Sequence, residues 1–240
     1  AASMNSGKIL LPLGSGEGPS VLRVQILLDR SPFSPGIVDG LWGKNTEKAV
    51  YWLQKRYGMK ATGKVDQDTF KKLLDLAKSP DKFVVEHKLT EKDVSGPFVE
   101  IPRDFYDQAN LDCMCYETLE EKLSVMFHTS PKLLARLNPK AKLNELKSGD
   151  TISVPNLSDT QMDKNSEGAK DTAVTKLVIS DGGRYTHAVD QNGDIVYHFP
   201  TTLGSGYAPS PTGEWKINAI AWDPTWHYQP SLLTGEPDDK

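Results

Sequence analysis

Two thiols and five imidazoles are the groups in this 240-residue chain best suited to covalent or metal chemistry, and their spacing limits what they can do. Cys113 and Cys115 stand on either side of Met114. A disulfide across a single intervening residue is expected to be strained, and zinc would need two further ligands that no neighbouring His or Cys supplies. Two partly buried free thiols are therefore expected, with no metal and no cofactor. A thiol becomes a nucleophile when a close imidazole takes its proton. His187 and His198 lie far along the chain from both cysteines. His187 shares a strand face with Tyr185 and Val189 and reads as structural, and His227, between Trp226 and Tyr228, reads as packing. No catalytic residue is assigned.

Binding chemistry has a better candidate. In Pro35-Gly36-Ile37-Val38-Asp39-Gly40-Leu41-Trp42-Gly43 the Asp39 carboxylate can accept from backbone N–H groups two residues on, while Gly40 accepts positive φ. A second turn, Gly58 to Asp66, repeats the chemistry with Gly63.

The elements that must hold these turns are three short amphipathic helices. Ser20 is expected to cap the first, carrying Val21, Val24, Leu27 and Leu28; Asn45 or Thr46 starts the second, with Ala49, Leu53 and Tyr57 on one face and Gly58 as its left-handed stop; Asp66 caps the third, with Phe70, Leu73, Leu74 and Ala77. The ordered residues Val24-Gln25, Asp39-Gly40, Trp42-Gly43, Thr46, Leu53-Gln54, Gly58, Gly63, Val65 and Thr69 resemble the three-helix peptidoglycan-binding domain of bacterial wall enzymes. The resemblance implies that Asp39, Trp42 and Asn45, clustered on one loop, contact a glycopeptide by hydrogen bonding and ring stacking.

After Ser79-Pro80, Phe83 to His87 alternates weakly like an edge strand. Thr118 caps a helix with Leu119, Leu123 and Met126, Ser130-Pro131 opens another with Leu133, Leu134 and Leu137, and Thr151 to Val154 reads as a strand stopped by Pro155. This spacing, with Leu137-Asn138-Pro139 and Gly149-Asp150, resembles the LysM strand-helix-helix-strand unit, departing from it in a long irregular segment from Lys88 to Cys115. Residues 157–171 are almost wholly polar and read as a linker.

Beyond the linker the period becomes two. Strands are expected over Val174 to Ser180, around Tyr185 to Val189, from Ile195 to Phe199 and from Trp215 to Trp222, with a hairpin at Asn192-Gly193. Lys176-Leu177-Val178-Ile179, Phe199-Pro200-Thr201-Thr202 and Ser210-Pro211-Thr212-Gly213-Glu214-Trp215 resemble the first half of the L,D-transpeptidase catalytic domain. That family is implied to use a Cys thiolate in a Ser-His-Gly-Cys motif, which these residues lack, so the sequence reads as cut off before its nucleophile and inactive as it stands. A non-catalytic wall-binding scaffold is the alternative.

The expected architecture is α+β and multidomain: an arm (1–19), a three-helix peptidoglycan-binding bundle (20–79), a LysM-like unit (82–156), the linker (157–171) and part of a mainly-β L,D-transpeptidase sheet (172–240). With 28 Lys and Arg against 32 Asp and Glu, a net charge of -4 gives no electrostatic reason to collect on nucleic acid or anionic lipid, and no apolar run reaches the ~20 residues of a membrane span. The expected partner is peptidoglycan, glycan strand and stem peptide, for a protein exported to the periplasm or cell wall.

Overall fold

A computed structural model of the chain describes residues 2–5, 9–157, 174–204 and 209–221. The polar stretch 158–173, Trp222 and His227 lie outside the described residues. Within them the chain is α+β, a helical N-terminal region followed by two small antiparallel sheets.

After a short α1 (Ala2–Asn5), α2 spans Pro19–Asp29. Ser20 does not cap it: Pro19 occupies the first helical position, where a missing N–H costs nothing, and Gly18 at φ 108° is the cap residue. Every side chain from Val21 to Leu28 is buried, because α2 is covered on two sides. Val24, Leu27 and Leu28 join a core with Phe33, Ala49, Val50, Leu53, Val65 and Leu73. Leu22 and Ile26 meet Val38, Val84, Leu133 and Leu137 in a second cluster.

Helix α3 (Lys44–Arg56) begins one residue earlier than expected, capped by the Gly43 backbone, because the Thr46 hydroxyl is drawn inward to Gln25. Gly58, at φ 65°, follows its C-terminus as the left-handed stop. Helix α4 (Gln67–Leu76) starts where Asp66 accepts from the Thr69 N–H at 2.9 Å.

Strand β1 (Val84–Lys88) leads through α5 (Glu91–Val94) and α6 (Phe105–Ala109) to α7 (Leu119–Met126) and α8 (Pro131–Leu137), capped by Thr118 and Ser130, and then to β2 (Thr151–Pro155). β1 and β2 pair antiparallel, His87 opposite Ile152. An asparagine amide occupies the backbone groups outside this pair on both sides. Asn5 Oδ1 accepts from the Phe83 and Val84 N–H groups and its Nδ2 donates to Val84 O; Asn138 exchanges the equivalent bonds with Ser153. Two-stranded sheets are marginal alone, and these amides stand in for missing neighbours.

The irregular segment between α5 and α7 departs from the expected free thiols. Cys113 and Cys115 are joined in a disulfide, not free. Their Cα atoms lie 5.2 Å apart, inside the range a bridge accepts, because the chain turns at Met114 instead of running extended.

Strands β3 (Val174–Ser180), β4 (Tyr185–Asp190) and β5 (Ile195–Pro200) form an antiparallel meander in that order. The β4–β5 hairpin is built on Asp190, whose carboxylate accepts from the Asn192 and Asp194 N–H groups, with Gly193 at φ 82°. Residues 215–221 form no strand, contrary to the alternating pattern. Trp215, Ile217 and Ile220 are 74%, 67% and 78% exposed, and among the described residues no strand pairs with them.

Candidate functional site

Both turns of the helical region are clamped by a buried glutamine, and the two clamps are copies. Gln25 Oε1 accepts from the Gly40 N–H at 2.7 Å and the Asp39 N–H at 3.3 Å, while its Nε2 donates to Asp39 Oδ1, Leu41 O and Thr46 Oγ1. Gln54 Oε1 accepts from the Thr62 and Gly63 N–H groups, and its Nε2 donates to Lys64 O and Thr69 Oγ1. A side-chain amide can saturate a turn that has no strand partner, and burial strengthens each of its bonds. The N-terminal arm pairs with both turns, Leu13 with Val65 and Glu17 with Leu41. Gly40, at φ 75°, also lies so close to Arg136 of α8 that a Cβ there would meet Nη2 at 2.6 Å.

The first turn opens a groove of about 300 Å³ lined by Gln25, Pro35, Ile37, Asp39, Leu41, Gly43, Lys44, Asn45 and Thr46. Two of the three residues expected to contact a ligand, Asp39 and Asn45, line it. The third does not. The Trp42 indole is half-buried against the core that contains Leu53 and Val65, and its N–H backbone donates to Gly16 O at 2.9 Å. The ring packs in part against that core and is not among the residues lining the groove. Sequence reasoning missed Ile37, Leu41 and Lys44; the signal was present in Ile37 and Leu41, apolar side chains flanking an Asp-Gly turn with no helical or strand period to bury them. The groove holds one carboxylate, one ammonium, two side-chain amides, a hydroxyl and aliphatic walls, so it offers hydrogen-bonding groups of both kinds beside apolar surface.

A second constellation sits where the three-stranded sheet meets α3. His187 Nε2 lies 3.1 Å from His198 Nδ1, the two residues directly opposite on β4 and β5. His187 stacks on Tyr185 and meets Trp52 edge-on at 4.5 Å between ring centroids. Burial, then the neighbouring His187 and Lys48, push His198 down to about 3, and burial lowers His187 as well. Both rings are buried, and burial favours their neutral forms. Around them β5 extends the helical region: Ser34 N–H donates to His198 O and His198 N–H to Pro32 O, Lys48 donates to Gly183 O at 2.6 Å, and Arg56 lies 3.4 Å from Asp194. Pro200 at the end of β5 comes against Gly36, next to the groove's Pro35 wall.

Neither cysteine can be brought to an imidazole as a thiolate, since each is bonded to the other. Among the described residues no three His, Cys, Asp or Glu side chains converge as a metal site would require, and no described helix is long and apolar enough to cross a membrane.

Compared with known families, residues 17–73 match the peptidoglycan binding domain and residues 175–240 match the L,D-transpeptidase catalytic domain. The first match contains both glutamine-clamped turns and the groove; the second begins at β3. No curated protein matches the chain. The chain thus carries a peptidoglycan-binding domain at its N-terminal end and L,D-transpeptidase catalytic-domain sequence from residue 175.

Proposed function

We propose that this chain is a wall-binding part of an exported L,D-transpeptidase, holding peptidoglycan in the Asp39 groove while the sheet from β3 onward belongs to the domain that remodels cross-links. The observation that carries this reading is the groove itself, a preformed concave site on the turn of the matched peptidoglycan-binding domain. Asp39 and Asn45 contact the polymer; Trp42 backs the loop that presents them. The strand-helix-helix-strand unit between the two matched segments supports a LysM-like spacer, and the Cys113–Cys115 disulfide suits an oxidising compartment such as the periplasm or cell wall.

In this family a Cys thiolate attacks a stem-peptide carbonyl, the terminal residue leaves as its amine, and an acceptor amine resolves the thioester. Both cysteines of these 240 residues are in the disulfide, so neither supplies that thiolate. A non-catalytic wall-binding scaffold is the second reading.

Co-sedimentation with purified sacculi tests the proposal. The chain is expected to pellet with sacculi and to stay bound at moderate salt, because its net charge of -4 opposes simple ionic capture. Recovery of the whole chain in the supernatant, or complete release by modest salt, would reject it.

A further inference from the structure

Resting on that reading, we propose that the Asp39 groove takes the peptide portion of the wall polymer, a short chain bearing both a carboxylate and an ammonium, and not the sugar backbone. Three features of the groove point this way. Its walls are aliphatic: Pro35, Ile37 and Leu41 line it, with Ile37 65% and Leu41 45% exposed. A pyranose ring presents a C–H face rimmed by hydroxyls, which a flat aromatic face suits best. No aromatic residue lines this groove, and the one ring on its loop, Trp42, packs in part against the core. Small aliphatic walls instead match the methyl groups of alanine-rich peptides.

Charge is the second feature. Asp39 and Lys44 stand on the same groove with opposite signs, a pairing that complements a ligand carrying both signs and gives a neutral sugar nothing that an amide would not. The stem peptide supplies that pair: a diamino acid brings the ammonium and its C-terminal residue the carboxylate.

Preorganisation is the third. Asp39 Oδ1 is fixed by the Leu41 N–H at 2.9 Å and by Gln25 Nε2 at 2.9 Å, so the carboxylate meets a ligand without first being ordered. Asn45 adds an amide able to bond a peptide group from the same side.

Calorimetric titration of the full chain with a soluble tetrapeptide stem containing a diamino acid, and separately with an N-acetylglucosamine oligomer, tests this beside the sacculus assay. The tetrapeptide is expected to bind and to compete the chain off sacculi. Lys44→Gln and Asp39→Asn, the latter keeping the turn's acceptor oxygen while removing the charge, should each weaken tetrapeptide binding about tenfold. Lys71→Gln, on the exposed side of α4, should leave it unchanged. If sacculi retain the chain but the tetrapeptide neither binds nor competes, or if both charge variants bind it as well as the parent, the peptide assignment is wrong while wall binding stands. If sacculi do not retain the chain, wall binding fails and the peptide assignment fails with it.

Discussion

His187 and His198 face each other across β4 and β5 with their ring nitrogens 3.1 Å apart, sealed against Trp52, a residue of α3 in the helical region. One ring donates its N–H to the other across this contact. His198 Nε2 is buried without a partner, so a positive charge on that ring would go unsolvated. His198 titrates near 6.5 when exposed and is held at about 3 in the fold, chiefly by burial. The unfolded chain therefore binds more protons between these values. Stability is expected to be whole above pH 6.5 and to fall as pH drops toward 3, by on the order of 5 kcal/mol from this residue. Denaturant midpoints at several pH values would show it, and His198→Gln should flatten the acid slope. An unchanged slope in that variant would remove the pair from the account.

His128 works with the opposite sign. Its Nδ1 lies 3.4 Å from Asp29 Oδ2, and the hydrogen bond to Asp29 raises its pKa above 6.5. The pair joins the end of α2 to the loop after α7, where Val38 N–H also donates to His128 O at 2.8 Å. Its contribution is present below the ordinary histidine pKa and disappears as pH climbs through the raised one. An NMR titration should place His128 above 6.5 in the parent and return it toward that value in Asp29→Asn.

Truncating either clamp removes the amide that bonds five groups around Gln25 and four around Gln54. Gln54→Ala should cost about 2–3 kcal/mol, read as a lowered denaturant midpoint at unchanged slope. Gln25→Ala should cost a similar amount and also disorder the groove, so it should lose sacculus binding that Gln54→Ala retains. Equal binding by both variants would mean that the two clamps are not functionally distinct.

Sequence composition makes residues 157–171 the expected first site of limited proteolysis. Once cut there, the sheet fragment should remain with the helical fragment on gel filtration, held by Trp52, Lys48, Arg56 and the backbone bonds at Pro32 and Ser34. Trp52→Ala should separate the fragments. Separation of the parent fragments would show that the docking is too weak to define one body.

Exposure to a carbapenem should leave the intact mass of this chain unchanged, since a disulfide sulfur has no thiolate with which to open the lactam. A covalent adduct that vanishes in Cys113→Ser would overturn the assignment of both cysteines to a bridge.

What the sequence determined by itself is local. Asp66, Thr118 and Ser130 cap their helices because a short side-chain oxygen reaches an N–H two or three residues on, and Gly58 and Gly40 take positive φ because nothing else does so cheaply. The three strands were legible from their β-branched and aromatic residues and the Asn192-Gly193 turn, although their burial does not alternate, with β3 exposed along most of its length. Tertiary structure decided which faces are covered and which groups meet. The pattern of α2 suggested one apolar face; its second buried face exists only because Val84, Leu133 and Leu137 arrive from the next unit. Trp42, singled out from the sequence for ring stacking, is placed in part against the core beneath its loop, where a large apolar ring gains from burial. The cysteine bridge required a bend at Met114, the histidine pair required the register of β4 on β5, and Trp215 to Ile220 alternate without a partner strand to make them one. Spacing fixes the short-range hydrogen bonds that a few residues can complete alone, whereas burial and pairing depend on residues that only the folded chain brings together.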